Sequence, residues 1–135
     1  MKKAKSEAVE ISRYISLFLR NYAPNHLTGS QHTLRSYETA LTLYVGFLEE
    51  QGITPENFGA ASFDKSKIEE WLVWLVEKRG CSSDTCNNRL ASIRAFLKYM
   101  ASRDVKYSDI SNGAATIKLR KRKKRKVNGL SRDAV

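Results

Sequence analysis

Hydrophobic residues recur every three or four positions along most of this chain, which is the spacing of amphipathic helices. The pattern predicts four main helices, and no alternating strand pattern competes with it. Their expected spans are residues 7–22, 30–51, 64–80, and 82 or 83 to about 103. Residues 105–117 are expected to add a short fifth helix.

Turn and capping residues mark the ends of these helices. Pro24 and Gly29 bracket the exit of the first helix. Ser30 is the expected N-cap of the second helix, because a serine hydroxyl accepts a hydrogen bond from an otherwise unpaired amide in the first turn. Gly52 is expected to end this helix, since glycine tolerates the positive φ of a helix C-terminus.

Residues 52–63 carry turn residues throughout and are predicted to form a loop. At the end of this loop, two residues compete to cap the third helix. Asp64 is one candidate. Ser66 is the other, since Ser66 and Glu69 have the spacing of a capping box. The sequence leaves both candidates open.

Each predicted helix has one apolar face, and these faces must pack together to be removed from water. The expected core positions are Ala8, Ile11, Ile15, Phe18 and Tyr22 in the first helix, Leu34, Tyr37, Leu41, Tyr44, Val45 and Leu48 in the second, Ile68, Trp71, Leu72, Leu75 and Val76 in the third, and Cys86, Leu90, Ile93, Phe96, Leu97 and Met100 in the fourth. At 135 residues the chain fits one domain. We predict an all-α fold, a compact four- to five-helix bundle with a basic C-terminal tail.

The net charge of +10 is concentrated in that tail. Residues 118–126, KLRKRKKRK, hold eight basic residues and no acidic one, whereas residues 1–117 hold 15 Lys and Arg against 13 Asp and Glu. Such a basic run attracts a polyanion, most commonly nucleic acid. A merely solvated basic linker and a nuclear-import-like signal are the alternatives.

Several other kinds of site are not indicated. Cys81 and Cys86 fit neither a zinc site nor a disulfide framework, so we expect buried or half-buried thiols in a reducing compartment. His26 and His32 are expected to be polar residues of a loop and a helix start. We predict no metal, no cofactor, no membrane span and no signal peptide, and hence a cytosolic (cytoplasmic) protein.

Polar side chains of the fourth helix form a candidate groove-facing surface. Arg, Asn, Ser and Thr hydrogen-bond phosphates and base edges, and this helix is rich in them. Its exposed positions are expected to include Thr85, Asn87, Asn88 and Ser92. An ordinary solvated helix face is the alternative. The acidic residues gather elsewhere, from the end of the second helix through the third, at Glu49, Glu50, Glu56, Asp64, Glu69, Glu70 and Glu77.

Two blocks of the chain resemble a known family, the tyrosine recombinases or phage integrases. Ser30, Thr33 and Tyr37, followed by Leu41, Phe47 and Leu48, are similar to the opening S-x-x-T-x-x-x-Y…L…F-L of that family. The block from Ser82 to Thr85 and then from Asn88 to Phe96 resembles a later helix of the same family. Ala91 and Ser92 stand where the family more often has serine and then alanine.

The resemblance implies a core-binding (SAM-like) N-terminal domain that clamps DNA at the core recombination site together with a catalytic domain. It divides the chain into the helical DNA-binding domain 1–117, a basic interdomain linker 118–129 that tracks the duplex, and the start of a truncated catalytic domain, 130–135. The implied DNA contacts are Thr33, Arg35 and Ser36 on the second helix, Thr85, Asn87, Asn88, Arg89, Ser92 and Arg94 on the fourth, and Lys118, Arg120, Lys121, Arg122, Lys123, Lys124, Arg125 and Lys126 in the linker.

The family cleaves DNA with a tyrosine nucleophile, and the resemblance places that tyrosine and its partners in the downstream domain. The six tyrosines of this chain lack such partners, so we expect it to bind DNA without cutting it. The parent protein would be a DNA breaking-joining enzyme of a mobile element, acting in DNA integration and recombination. Expected partners are double-stranded DNA, the catalytic domain of the parent chain and other protomers on DNA. The fragment should be monomeric. No separate arm-site-binding domain is expected before the first helix.

The two flanks of the fourth helix cannot face a DNA groove equally well. Arg89 lies on one flank and Arg94 on the other, and the sequence does not decide between them. We favour Arg89 as the DNA contact, because it is nearer the helix N-terminus. Arg94 is then expected to hold the helix to the body of the domain, with Glu69 or Glu70 as candidate partners.

Two further functions remain open at this point. The first is a freestanding helix-turn-helix regulator, with Gly80-Cys81-Ser82 as the turn. The second is a helical protein-interaction module whose basic tail binds RNA or an acidic partner.

Overall fold

The computed structural model describes residues 2–121, and the fold within that range is all-α. The helices are α1 (Lys2–Leu17), α2 (Gln31–Glu50), α3 (Lys65–Arg79), α4 (Ser83–Arg103) and α5 (Ser108–Ala115), with a π-helix over Phe18–Leu27 and 3-10 turns over Ala60–Phe63 and Val105–Tyr107. The basic residues Arg122, Lys123, Lys124, Arg125 and Lys126 and the expected catalytic-domain start, 130–135, lie outside the described residues.

The predicted N-cap of α2 is confirmed, and the competition between Asp64 and Ser66 to cap α3 is decided. The Ser30 hydroxyl accepts a hydrogen bond from the amide of Thr33 at 3.3 Å. Asp64, and not Ser66, caps α3, because its carboxylate accepts from the amide of Lys67 at 2.8 Å. The Asp64 geometry satisfies a donor that has no partner inside the helix.

The prediction for the first helix was wrong at both ends. It begins at Lys2 rather than at residue 7, and it continues beyond Tyr22 as a π-helix that contains Pro24. Proline has no amide hydrogen and collides with the preceding turn of an α-helix, which is why an end was expected there. The wider helix keeps the chain helical instead. His26 lies in this π-helix rather than in a loop, and its ring centroid is 5.1 Å from that of Tyr22.

Aromatic side chains fill the centre of the bundle. Phe63, from the 3-10 turn inside the predicted loop, lies 5.0 Å from Tyr44 of α2 and 6.1 Å from Phe96 of α4, measured between ring centroids. The Tyr44 hydroxyl donates to the carbonyl of Ser62 at 2.6 Å. This turn therefore packs into the core between α2 and α4. Its turn-rich sequence does not indicate that role.

The predicted core positions are largely confirmed. Every one assigned to α4 is fully buried, including the free thiol of Cys86, and Cys81 is half-buried. Val76 of α3 is the exception, because 36% of its surface is exposed. The predicted positions that pack against the core while partly exposed are Ile15, Tyr22, Leu34, Tyr37 and Val45.

The expected fifth helical segment is also confirmed, as the Val105–Tyr107 turn and α5. The Tyr107 hydroxyl donates to the Glu10 carboxylate at 2.5 Å, and the Lys106 ammonium lies 2.9 Å from the same carboxylate. These contacts join the segment to α1. Within residues 2–121, the helices are all too short or too polar to cross a membrane.

Candidate nucleic-acid interface

The polar candidates of α4 differ in how far they reach solvent. Asn88 is exposed, whereas Thr85, Asn87, Arg89 and Arg94 are half-buried. The expectation that Ser92 is exposed was wrong. Ser92 retains only 3% of its surface, and its hydroxyl donates to the carbonyl of Asn88 at 3.3 Å, one helical turn earlier.

Arg94 holds the end of α5. Its Nε donates to the carbonyl of Ala114 at 2.9 Å, and its terminal nitrogen Nη2 donates to the carbonyls of Ala115 and Ile117. The last carbonyls of a helix have no partner inside the helix, so a guanidinium is well suited to bind several of them. The prediction that Arg94 holds α4 to the body is confirmed, but the proposed partners Glu69 and Glu70 were wrong.

Asn87 holds the chain that follows α5. The backbone amide of Arg120 donates to Oδ1 of Asn87 at 2.8 Å, and Nδ2 of Asn87 donates to the carbonyl of Arg120 at 3.0 Å. Both polar ends of the Asn87 side chain are thus engaged by one residue of the basic run. We call this pair of hydrogen bonds the Asn87–Arg120 clasp.

The clasp and Arg94 together set the direction of residues 114–120. Asn87 and Arg94 are seven positions apart on α4, which places them on nearly the same face, roughly 10 Å apart along the helix axis. Arg94 binds carbonyls of residues 114–117, and Asn87 binds residue 120. The segment therefore runs back along α4 toward its N-terminal end, where Lys118 and Lys121 are exposed.

Two guanidiniums lie near Cys86 at this end of α4. Burial raises the pKa of the Cys86 thiol, and the charges of Arg120 and Arg89 act in the opposite direction. Arg89 belongs to α4, and Arg120 arrives with the basic run. The Nε of Arg89 is buried and has no hydrogen-bond partner among the described residues.

The candidates on α2 make their hydrogen bonds within their own helix. The amide of Thr33 donates to the Ser30 hydroxyl, and the hydroxyl of Ser36 donates to the carbonyl of His32 at 3.2 Å. Arg35 is exposed. α2 packs on α4 through its apolar face, but these polar side chains do not bond to the α4 candidates within the described contacts.

Two acidic side chains, Glu50 at the end of α2 and Glu70 in α3, take part in contacts where these two helices meet. The indole of Trp74 donates to the Glu50 carboxylate at 3.0 Å, joining α3 to the end of α2. The Lys67 ammonium binds the Gln51 side chain at 2.7 Å and lies 3.6 Å from the Glu70 carboxylate. No group of three or more histidine, cysteine, aspartate or glutamate side chains suited to a metal ion occurs within residues 2–121.

A comparison with protein-family models matches residues 15–104 to the phage integrase N-terminal SAM-like domain, which is a domain of tyrosine recombinases. The match covers most of the chain and every helix from α2 to α4. The chain belongs to this family. Searches of curated proteins and of solved structures found no significant match.

This SAM-like domain has two features that sequence reasoning missed. One is the Asn87–Arg120 clasp, whose partners are 33 residues apart and share no local motif. The other is an aromatic cluster in which the Arg103 guanidinium lies 5.5 Å from the ring centroid of Tyr22 and 5.1 Å from that of Tyr99. The spacing of Tyr99 and Arg103, one helical turn apart, is the signal that indicates the second of these contacts.

Proposed function

We propose that this chain binds double-stranded DNA sequence-specifically at a core recombination site, as the N-terminal domain of a tyrosine site-specific recombinase acting in DNA integration and recombination. The observation that supports this most strongly is the return of residues 114–120 along α4. It brings the described part of the basic run, residues 118–121, to the same end of α4 that carries Thr85, Asn88 and Arg89. A duplex lying there would meet polar side chains and a block of positive charge together.

The two parts of this surface have different tasks. Lys118 and the basic residues from 120 to 126 neutralise phosphates and contribute affinity that does not depend on sequence. The helical side chains set the register and read base edges. On α4, Asn88 and Arg89 are the main candidates for these contacts. On α2, Arg35 is the most accessible candidate, with Thr33 and Ser36 beside it.

The proposal includes that this chain binds DNA without cleaving it. A tyrosine nucleophile must reach a phosphate and lose its proton. Tyr44 and Tyr107 are buried, and burial raises the pKa of each phenol well above its ordinary value. Burial also raises the pKa of Tyr14. These side chains serve the core, which supports a catalytic tyrosine elsewhere in the parent protein.

We further infer the partners from the family. The linker 118–129 would connect this domain to the catalytic domain, beginning at about residue 130, and further protomers would assemble on the DNA. The isolated fragment would be monomeric. The free thiols Cys81 and Cys86 fit a reducing compartment, which supports action in the cytoplasm on the DNA of a mobile element.

A helix-turn-helix regulator is the second candidate, and one observation favours it. α3 and α4 are joined by only three residues, 80–82, and Gly80 has the left-handed conformation, with φ of 66°, that such a tight turn requires. The recombinase is preferred because the family match also includes α2.

The test is selection of binding sites from a random duplex library by the purified 135-residue chain. We expect one enriched sequence, bound at least tenfold more tightly than a shuffled duplex at the same salt concentration, in line with specificity ratios of roughly 10³ or more in complete DNA-binding proteins. Equal affinity for all duplexes would remove sequence-specific recognition. Preference for single-stranded or structured RNA of matched length would favour the RNA-binding module instead.

A further inference from the structure

We infer that Asn87 is a positioning residue for the basic run rather than a residue that reads DNA. The inference rests on the proposed DNA-binding function and concerns how α4 and the tail are made to act on the same duplex. Its structural basis is the Asn87–Arg120 clasp, in which both polar ends of the side chain are occupied. The clasp uses one N–H of Nδ2 and one lone pair of Oδ1, so the backbone of Arg120 fixes the orientation of the Asn87 amide.

The clasp lies near the start of the basic run. Residue 120 lies inside the basic run, with two basic residues up to that point and six beyond it. Because residue 120 is held to α4, the segment with the six remaining basic residues starts from a fixed point next to Arg89. A charged tail that starts from a fixed point beside the duplex loses less conformational freedom on binding than one that starts from a free root.

Arg94 supports the same path from the other side. Its guanidinium fixes the carbonyls of Ala114 and Ile117, so the chain reaches Asn87 from a defined position two helical turns away. Arg120 itself is half-buried, while Lys118 and Lys121 on either side of it are exposed. The clasp therefore holds the backbone and leaves the neighbouring cations free to meet phosphates.

A double-mutant cycle separates positioning from direct contact. Asn87→Ala is measured in the natural chain and in a chain with glutamine at all six positions 121–126, using fluorescence anisotropy with one labelled duplex. In the natural chain, loss of the clasp should raise Kd roughly three- to tenfold, the equivalent of one or two ordinary hydrogen bonds. In the glutamine chain it should raise Kd by less than about twofold, since no charged tail remains to be positioned.

Asn88→Ala is the matched control. Asn88 is the neighbouring asparagine, exposed and proposed to contact DNA directly, so its substitution should cost the same factor in both chains. A second variant, Arg120→Pro, removes the amide that donates to Asn87 without changing α4, and Arg120→Gln controls for the lost charge. Arg120→Pro should weaken binding beyond Arg120→Gln only when residues 121–126 are basic.

The salt dependence gives a readout that a merely structural role would not change. Asn87→Ala removes no charge, yet it should flatten the slope of log Kd against log salt by roughly one unit, because fewer tail cations stay on phosphates. An equal cost of Asn87→Ala in both chains, with an unchanged slope, would overturn the inference and leave DNA binding intact. Absence of any tail-dependent binding would overturn both the inference and the proposed function.

Discussion

The Nε of Arg94 in α4 donates a hydrogen bond to the carbonyl of Ala114 in α5 across 2.9 Å. The same guanidinium also binds two later carbonyls, so it takes the place of the missing helical partners at the end of α5. Arg94→Ala leaves these carbonyls to water and frees the end of α5. We predict a loss of about 2 kcal/mol in the free energy of unfolding.

That loss should appear as a lower melting temperature, by roughly 5 to 10 °C, in thermal denaturation followed by circular dichroism. Lys98→Ala is the control, since Lys98 is an exposed cation on the same helix. The affinity of Arg94→Ala for DNA, corrected for the folded fraction, should fall less than that of Arg89→Ala. Unchanged melting of Arg94→Ala would show that the guanidinium does not stabilise α5.

Arg89 should behave in the opposite way. Its Nε is buried without a hydrogen-bond partner among the described residues, so removing it relieves a desolvated polar group and costs little stability. Arg89→Ala should weaken DNA binding by about 1–3 kcal/mol, if the guanidinium reads a base edge, and leave the melting temperature unchanged. Anisotropy and thermal melting of the same preparations measure both quantities.

Arg89→Met is a useful companion, because it keeps most of the apolar stem while removing the charge. It should bind DNA as weakly as Arg89→Ala and melt no earlier than the natural chain. An Arg89→Ala protein that melts early but binds normally per folded molecule would reverse the roles assigned to Arg89 and Arg94.

The contact between α1 and Tyr107 makes stability depend on pH at the acid end. Hydrogen bonds from Tyr107 and Lys106 lower the pKa of Glu10 below its ordinary value of 4.5. A carboxylate with a lowered folded-state pKa contributes stability above its unfolded pKa, and this contribution is lost as pH falls through the folded one. Glu10→Gln should therefore reduce stability at neutral pH and flatten its decline below about pH 4.5.

At alkaline pH, Tyr107 makes stability fall as the pH rises. Burial and the bond to Glu10 raise the pKa of Tyr107, so its contribution is complete below the ordinary tyrosine pKa of 10.0 and is lost above it. Tyr107→Phe should lose the pH dependence that Tyr107 adds above pH 10. Urea denaturation at a series of pH values checks both variants, and parallel curves for Glu10→Gln and the natural chain would contradict the assignment.

The chain should form no covalent adduct with DNA. We predict neither nicking of supercoiled DNA nor a phosphotyrosyl product on a suicide duplex, because Tyr44 and Tyr107 are buried in the core, where their hydroxyls cannot reach a phosphate. Denaturing gel electrophoresis with labelled duplex is sufficient. A stable adduct mapped to any tyrosine of the chain would overturn the assignment of a purely DNA-binding role.

The sequence predicted the helices wherever a local signal marks their ends. Ser30 caps α2 as expected, and Asp64 and Ser82 cap α3 and α4 at one of the two start positions that the sequence left open for each, since capping depends on residues only three positions apart. Pro24 misled the prediction for the first helix, because its local effect is to end an α-helix, whereas the chain continues through it as a π-helix that buries Phe18 and Ala23.

The sequence predicted which residues belong to the candidate site, but it did not predict their hydrogen-bond partners. Arg94 and Asn87 were expected on polar flanks of α4, but their partners lie 20 and 33 residues away and are backbone groups, which no side-chain pattern encodes. Ser92 was expected to be exposed because serine is polar. Its hydroxyl bonds to the helix backbone instead, so it is buried without an unpaired polar group.

Salt-dependent binding tests the central claim, that α4 and the basic run act together on duplex DNA. Anisotropy titrations of one duplex at several salt concentrations are made with the natural chain and with a chain lacking residues 118–126. If about four of the eight basic residues in that run meet phosphates, the deletion should flatten the slope of log affinity against log salt by roughly 3 to 4 units. An identical slope for the two chains, or no binding to duplex DNA at low salt, would contradict the account.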